Sequence, residues 1–287
     1  MPEGDTIFKT ARTLNRALAG RIVTSFESVF PALTRVHDDH PITGRTVESV
    51  ASRGKHLLMR FSGDLTLHTH MRMSGTWHLY RPGERWQQSA RNMRIVVATD
   101  AFVAVAFRVP VAELLTARDL ARHHVLRELG PDLVDHAFDR AEVVRRIRSH
   151  GRDAIGDVLL NQRVVSGAGN VLKSEILFLS GINPFVPAAD VPDPAIDRML
   201  ESARKLLAMN VVEPGQSLNR ATGRHTTGSL DRTRSSGSTG AAASHAGVAA
   251  LRLRRRRRAS MPASRTGVPA VKNHNFKPSV PRSRLSD

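Results

Sequence analysis

Leu159-Leu160-Asn161-Gln162-Arg163-Val164-Val165-Ser166-Gly167-Ala168-Gly169-Asn170-Val171-Leu172-Lys173-Ser174-Glu175-Ile176-Leu177 is the stretch that decides the fold. Its apolar spacing predicts one helix over Asp153–Gln162 and another over Val171–Ser180, joined by residues 163–170. Gly167 and Gly169 let the turn backbone approach another group closely. Asn170 falls at the expected N-cap of the second helix, whose free N–H groups and dipole favour a phosphate. Lys173 lies in that helix's first turn, an unfavourable place for a cation unless an anion binds there. Two readings follow: a turn that grips a phosphate, or a helical hairpin whose glycines only permit tight packing.

Outward from this hairpin the chain changes character. Two more helices flank it: Ala141–His150, amphipathic and basic through Arg145, Arg146 and Arg148, and Ala195–Asn210, with Ile196, Met199, Leu200, Ala203, Leu206 and Leu207 on one face. From Arg21 to Arg108 the pattern is one of short strands, clearest over His56–Phe61, Leu65–Met71, Met93–Thr99 and Phe102–Arg108. Ser62-Gly63-Asp64 and Pro82-Gly83 supply turns between them. Ahead of the strands, Ile7, Phe8, Ala11, Leu14, Ala17 and Leu18 predict a helix over Thr6–Ala19 with Gly20 as its stop. The expected fold class is α+β: an N-terminal helix and an antiparallel β-sandwich, then a helical domain, then a disordered basic tail. The expected domains are 1–120, 121–231 and 232–287, with the first boundary inside 115–135.

The totals exclude several classes. The 287 residues contain no cysteine, which rules out disulfides, a cysteine nucleophile and any thiolate metal site. No apolar run is long enough to span a bilayer and no signal-peptide core opens the chain, so the expected location is cytoplasmic, with no membrane partner. The formal net charge is +17, but residues 232–287 hold 13 of the 43 Lys and Arg and one of the 26 acids. The body is only mildly basic, compatible with a nucleic-acid partner.

The chain begins Met1-Pro2-Glu3-Gly4. Removal of Met1 leaves Pro2 as a secondary amine, and an α-amino group titrates at about 7.7–8.0, well below lysine. Such an amine attacks an electrophilic sugar carbon and gives an iminium ion, while the neighbouring Glu3 carboxylate can move protons. The predicted first helix would fix the direction of both residues. Lys55, in Arg53-Gly54-Lys55, projects from a turn or strand edge. His68 and His70 alternate onto one strand face, a spacing that suits a metal pair, but no third ligand is evident and no metal is assigned. Met71-Arg72-Met73-Ser74-Gly75 runs from a strand into a glycine turn, where an apolar side chain could be presented as a wedge.

In this order the motifs resemble the formamidopyrimidine-DNA glycosylase and endonuclease VIII family of base-excision repair enzymes, over residues 2 to about 231. The resemblance rests on Pro2-Glu3-Gly4, Gly54-Lys55-His56, His70-Met71-Arg72-Met73-Ser74-Gly75, Leu129-Gly130-Pro131-Asp132, Leu159 to Asn170 and Lys173-Ser174-Glu175-Ile176-Leu177. The Pro-Glu-Gly start is closer to the endonuclease VIII branch. The resemblance implies a bifunctional DNA N-glycosylase and abasic-site lyase that removes oxidised bases, mainly pyrimidines. Pro2 would be the Schiff-base nucleophile, Glu3 the acid and base, and Lys55 the phosphate holder that assists β-elimination. Arg72 and Met73 would fill the gap left by the flipped nucleotide, and Asn170, Lys173 and Arg127 would grip the backbone. The implied partner is double-stranded DNA with damaged bases or abasic sites, met by a monomer at the nucleoid. The other readings are a catalytically inactive DNA-binding remnant and a ribosomal or chromatin-type basic protein, which fits the net charge but not the nearly balanced body.

The tail departs from that family. Its members carry a zinc-finger hairpin with two Cys-x2-Cys pairs, so a Zn2+ site is expected of the family, yet its four cysteine ligands are missing here and no cofactor is assigned. Read across codon boundaries, Ser236 to Ala241 permits Trp-Val-Tyr-Gly-Arg, His245 to Ala250 permits Cys-Arg-Arg-Cys-Gly, and Arg265 to Lys272 permits Tyr-Trp-Cys-Pro-Arg-Cys-Gln. The two cysteine pairs would stand about 18 residues apart, which suits a four-cysteine zinc site. A reading-frame shift between Gly228 and Ser235 accounts for all three. Loss of the finger is expected to impair DNA binding and incision, leaving Arg254–Arg258 only a salt-dependent attraction to DNA.

Overall fold

The computed structural model describes residues 2–211; the tail reading and the end of the expected second domain lie outside them. The chain starts with helix α1 (Gly4–Leu18), which buries Ile7, Ala11, Leu14, Ala17 and Leu18 along one side. Asp5 sits in its first turn, favourable against the helix dipole. Strand β1 (Val23–Ser28) follows, then helix α2 (Pro31–Asp39) and strand β2 (Val47–Arg53). The sequence reading has no helix here. Pro31 opens it at the first turn, but only Leu33 is buried, so no apolar stripe announces it.

Strands β3 (His56–Phe61), β4 (Leu65–His70), β5 (Thr76–Tyr80), β6 (Met93–Thr99), β7 (Val103–Phe107) and β8 (Val111–Thr116) complete two four-stranded antiparallel sheets. Their orders are β1-β6-β7-β5 and β2-β3-β4-β8. The expected Ser62-Gly63-Asp64 turn links β3 to β4, with Phe61 paired to Leu65. Residues of both sheets share one core, in which Phe26, Trp77, Ile95 and Ala106 meet Val47, Leu57, Met59, Phe61 and Leu67. This is the sandwich the alternating pattern predicts. Helix α1 packs on β2 and β3, and the Asn15 side-chain oxygen accepts the Val50 amide at 2.7 Å, covering a donor of an edge strand.

Beyond the sheets lie the short helices α3 (Ala117–Arg122) and α4 (His124–Glu128), then α5 (Arg140–Ser149), α6 (Ile155–Val158), α7 (Asn170–Leu179) and α8 (Asp193–Val211). They build a second core from Leu133, Val143, Ile147, Leu159, Val165, Leu172, Ile176, Ile196, Leu200 and Leu207. Fully burying side chains of this kind contributes about 1.5–3 kcal/mol each. Helix α8 also packs against α1, joining the two cores. The helix expected over 153–162 is a single turn. Leu160 and Asn161 bond back to Asp157, and the Gln162 side-chain amide donates to Leu160 O and Ala168 O, so the chain doubles back into the turn.

Candidate active site

Glu3 is the N-cap residue of α1 and is fully buried. Its carboxylate leaves α1 and reaches the start of α7, where Oε1 accepts the Val171 amide at 2.9 Å and Oε2 accepts the Leu172 amide at 3.1 Å. These are free first-turn donors of a helix, the natural place for an anion. Each carboxylate oxygen keeps a further lone pair. The Gly4 amide donates to Gly167 O at 2.8 Å, so the start of the chain lies along the 163–170 turn. A Cβ on Gly169 would stand 2.4 Å from Glu3 Cδ, so only glycine admits the carboxylate there.

This corrects the sequence reading of Asn170 in one respect. The N-cap is Gly169, and Asn170 is the exposed first residue of α7. The anion at the helix N-terminus is the chain's own Glu3. Lys173 is half-buried in the first turn of α7, so the cation that looked misplaced shares that turn with a carboxylate.

Lys55 and Gly54 form the two-residue turn of the β2–β3 hairpin, with Arg53 paired to His56. Gly54 has φ +58°, the left-handed value that a first turn position of this kind requires. Its amide donates to Asp132 Oδ2 at 2.6 Å, and Asp132 Oδ1 accepts the Val134 amide at 3.2 Å. Asp132 therefore ties the lysine turn to the segment ahead of α5. Burial pushes its carboxyl above the usual range, and the two amide bonds pull the other way. Burial also lowers the Lys55 ammonium, while the field of Glu3 opposes that shift. Pro2 is half-buried beside Glu3.

The loop after β4 displays Arg72 and Met73. The Gly75 amide donates to Met71 O at 2.9 Å and closes the turn. Arg72 is held at φ +47°, uncommon for a residue with a side chain, and its amide donates to His70 Nδ1 at 3.1 Å. Met71 is buried, whereas Met73 is 69% exposed, an unusual position for a side chain with no polar atom to solvate. Arg127 is exposed at the end of α4.

Sequence reasoning singled out His68 and His70 but missed Asp132 as a strut, Gln162 as the residue that stitches the turn, and His56 as the partner of both histidines. Gln162 Oε1 accepts the Gly167 amide at 3.1 Å. His56 Nδ1 donates to His68 Nε2 at 2.8 Å, and His68 Nδ1 donates to Glu113 Oε2 at 2.8 Å. The His56 ring meets the His70 ring edge-on, centroids 4.6 Å apart. Burial, followed by the neighbouring histidines for His56 and by Arg72 for His70, lowers His56 to about 3 and His70 to about 4. Both rings are neutral at physiological pH. Glycine and histidine content signalled these features, but their partners come from distant strands and helices.

A four-thiolate zinc site does not fit a chain with no cysteine.

The profile of the formamidopyrimidine-DNA glycosylase N-terminal domain matches residues 1–110, and that of the formamidopyrimidine-DNA glycosylase H2TH domain matches residues 129–221. The chain is 40% identical over 215 residues to a probable endonuclease 8 2 of Streptomyces coelicolor, covering 75% of this chain and 76% of that protein. It is 36% identical over 213 residues to endonuclease 8 2 of Mycobacterium bovis, covering 73% and 79%. The fold is similar to that of Lactococcus lactis Fpg in complex with a N7-Benzyl-Fapy-dG containing DNA, at a TM-score of 0.66 and 21% identity over 76% of this chain and 83% of that one. The two domain profiles and the endonuclease 8 relatives place this chain in the formamidopyrimidine-DNA glycosylase and endonuclease 8 family.

Proposed function

We propose that this chain is a base-excision DNA glycosylase with abasic-site lyase activity, acting on double-stranded DNA through the amine of Pro2. The observation that carries the reading is the pinning of Glu3 by the first amides of α7. This fixes the residue next to the amine before any DNA arrives, so little reorganisation is left for the reaction.

The neutral Pro2 nitrogen attacks C1′ of a flipped nucleotide, the C1′–base bond breaks with the base leaving as an anion that takes a proton from solvent, and the proton shed by the nitrogen passes to the Glu3 carboxylate. The sugar ring opens, its O4′ takes a proton from Glu3, and the nitrogen lone pair forms the iminium. Glu3, now a carboxylate, receives a proton from C2′, and the C3′–O bond breaks with release of the 3′-phosphate. Lys55 holds a phosphate beside the lesion and offsets the charge that develops on it. Met73 and Arg72 enter the space the nucleotide vacates, Met73 by stacking and Arg72 by its charge. Exposed Asn170 and half-buried Lys173 meet the backbone beside the turn, and Arg127 adds charge farther along. Oxidised pyrimidines are the proposed substrates, and loss of the family's finger weakens binding and strand incision.

A catalytically inactive DNA-binding remnant is the competing reading. Incubation with duplexes that carry an abasic site or an oxidised pyrimidine separates the two. The proposal expects incision that is lost in Glu3→Gln and Lys55→Met. Duplex retention with no incision, even at enzyme excess, overturns it in favour of the remnant.

A further inference from the structure

Behind the lysine turn, three ligating atoms converge on one point. His68 on β4 and Glu113 on β8 stand directly opposite each other in the β4–β8 ladder. His123 arrives from the junction of α3 and α4. Glu113 Oε2 lies 2.8 Å from His68 Nδ1 and 3.0 Å from His123 Nε2. All three ligating atoms fall within 4.8 Å of one another. The rings of His68 and His123 meet edge-on, at 78° with centroids 5.2 Å apart.

Zinc binds imidazole nitrogen and carboxylate oxygen at about 2.0–2.2 Å, which sets tetrahedral donors about 3.3 Å apart. The two separations to Glu113 Oε2 need to widen by about 0.3–0.5 Å to reach that value, and the two imidazole nitrogens, within 4.8 Å of each other, have to come to the same spacing. His68 is 2% exposed and His123 11%, while Glu113 is 44% exposed, so a fourth position opens to water.

We propose that His68, Glu113 and His123 form a site for a divalent transition-metal ion of the zinc class. Two imidazoles and one carboxylate are a donor set such ions accept. The outer partner is already present. With the ion on Nδ1, the His68 proton moves to Nε2 and donates to His56 Nδ1, whose own proton moves to its other nitrogen. Ligating histidines characteristically have such a second contact to fix their orientation. The cost falls at His123, where the Leu126 amide now donates to Nδ1 at 3.3 Å and would lose that acceptor. The ion would clamp the α3–α4 junction onto the β2-β3-β4-β8 sheet, at the start of the passage from sandwich to helices.

The full chain, stripped with chelator, is titrated with Zn2+ by calorimetry and with Co2+ by visible absorption. One equivalent should bind with the ligand-field bands of four-coordinate cobalt. Glu113→Gln and His123→Ala should each weaken it by at least about 100-fold, beyond the 10- to 100-fold typical of losing an outer-shell partner. Zn2+ should raise the unfolding midpoint of the parent chain and of neither variant. Absence of saturable binding, or binding that both variants retain unchanged, overturns the proposal and leaves the cluster as a hydrogen-bonded chain only.

Discussion

Gly169→Ala isolates the contact on which the site depends. Gly169 has φ −123° and ψ −169°, an extended backbone that alanine adopts freely. The substitution therefore carries no backbone strain, and its effect on the unfolded chain favours stability by about 0.4–1 kcal/mol. The added Cβ, however, would lie 2.4 Å from Glu3 Cδ and 2.6 Å from both Cγ and Oε1. The carboxylate has to leave, giving up its bonds to the Val171 and Leu172 amides at 2.9 and 3.1 Å. Hydrogen bonds to a charged group contribute about 1.5–3 kcal/mol each. Rehydration of the displaced carboxylate recovers part of that, so a net loss on the order of 3 kcal/mol is expected. In a Glu3→Ala background the clash is absent, and Gly169→Ala should be neutral or slightly stabilising. The double-mutant cycle, measured by denaturant unfolding, should give a coupling of about 3 kcal/mol. Equal losses in the two backgrounds would refute the reasoning, because Gly169 would then be needed for something other than the carboxylate.

Lys55→Met tests the burial of the ammonium. A lysine whose folded pKa lies below its unfolded value of about 10.4 costs stability when charged, and that cost fades as pH rises through the interval between the two. The methionine variant should unfold at a higher temperature than the parent at pH 7, with the gap closing towards pH 10; a lower midpoint at pH 7 would contradict the burial argument. Arg72→Ala and Met73→Ala should leave stability within about 0.5 kcal/mol, as exposed positions do, and weaken binding to a duplex with an abasic analogue. Unchanged affinity in both would remove the loop from the DNA interface. Asp132→Ala strands the Gly54 and Val134 amides, each at about 1–3 kcal/mol, while relieving a buried carboxylate. Its net loss should be about 2 kcal/mol, read by denaturant unfolding, with incision falling along with it.

The strands were legible because their alternation is local: β3 and β6 begin and end where the pattern says, and Ser62-Gly63-Asp64 turns between β3 and β4 as expected. Helices with a continuous apolar face were legible too, as in α1, α7 and α8. Helix α6 was overcalled because Asn161 and Gln162 carry side chains that bond within the turn and compete with the helix. The junction helices α3 and α4 went unread, since Leu126 is their one buried residue. At the site, the glycines and Lys173 left an anion at the start of α7 as one of two readings, and nothing local shows that it comes from residue 3. Of the His68, Glu113 and His123 cluster only His68 was marked in the sequence, and it was paired there with His70. The cluster depends on pairing β4 with β8 and on a histidine from a helix junction, and neither relation is a spacing in the chain.

The central claim is that Pro2 supplies the reacting nitrogen. The full chain, with removal of Met1 verified by intact mass, is incubated with an abasic-site duplex and borohydride, which reduces an iminium to a stable amine. Peptide mapping should find the sugar on the Pro2 nitrogen, and a one-residue extension ahead of Pro2 should abolish the adduct while duplex binding persists. An adduct on Lys55, or none at all from a chain that binds the duplex, would contradict the account.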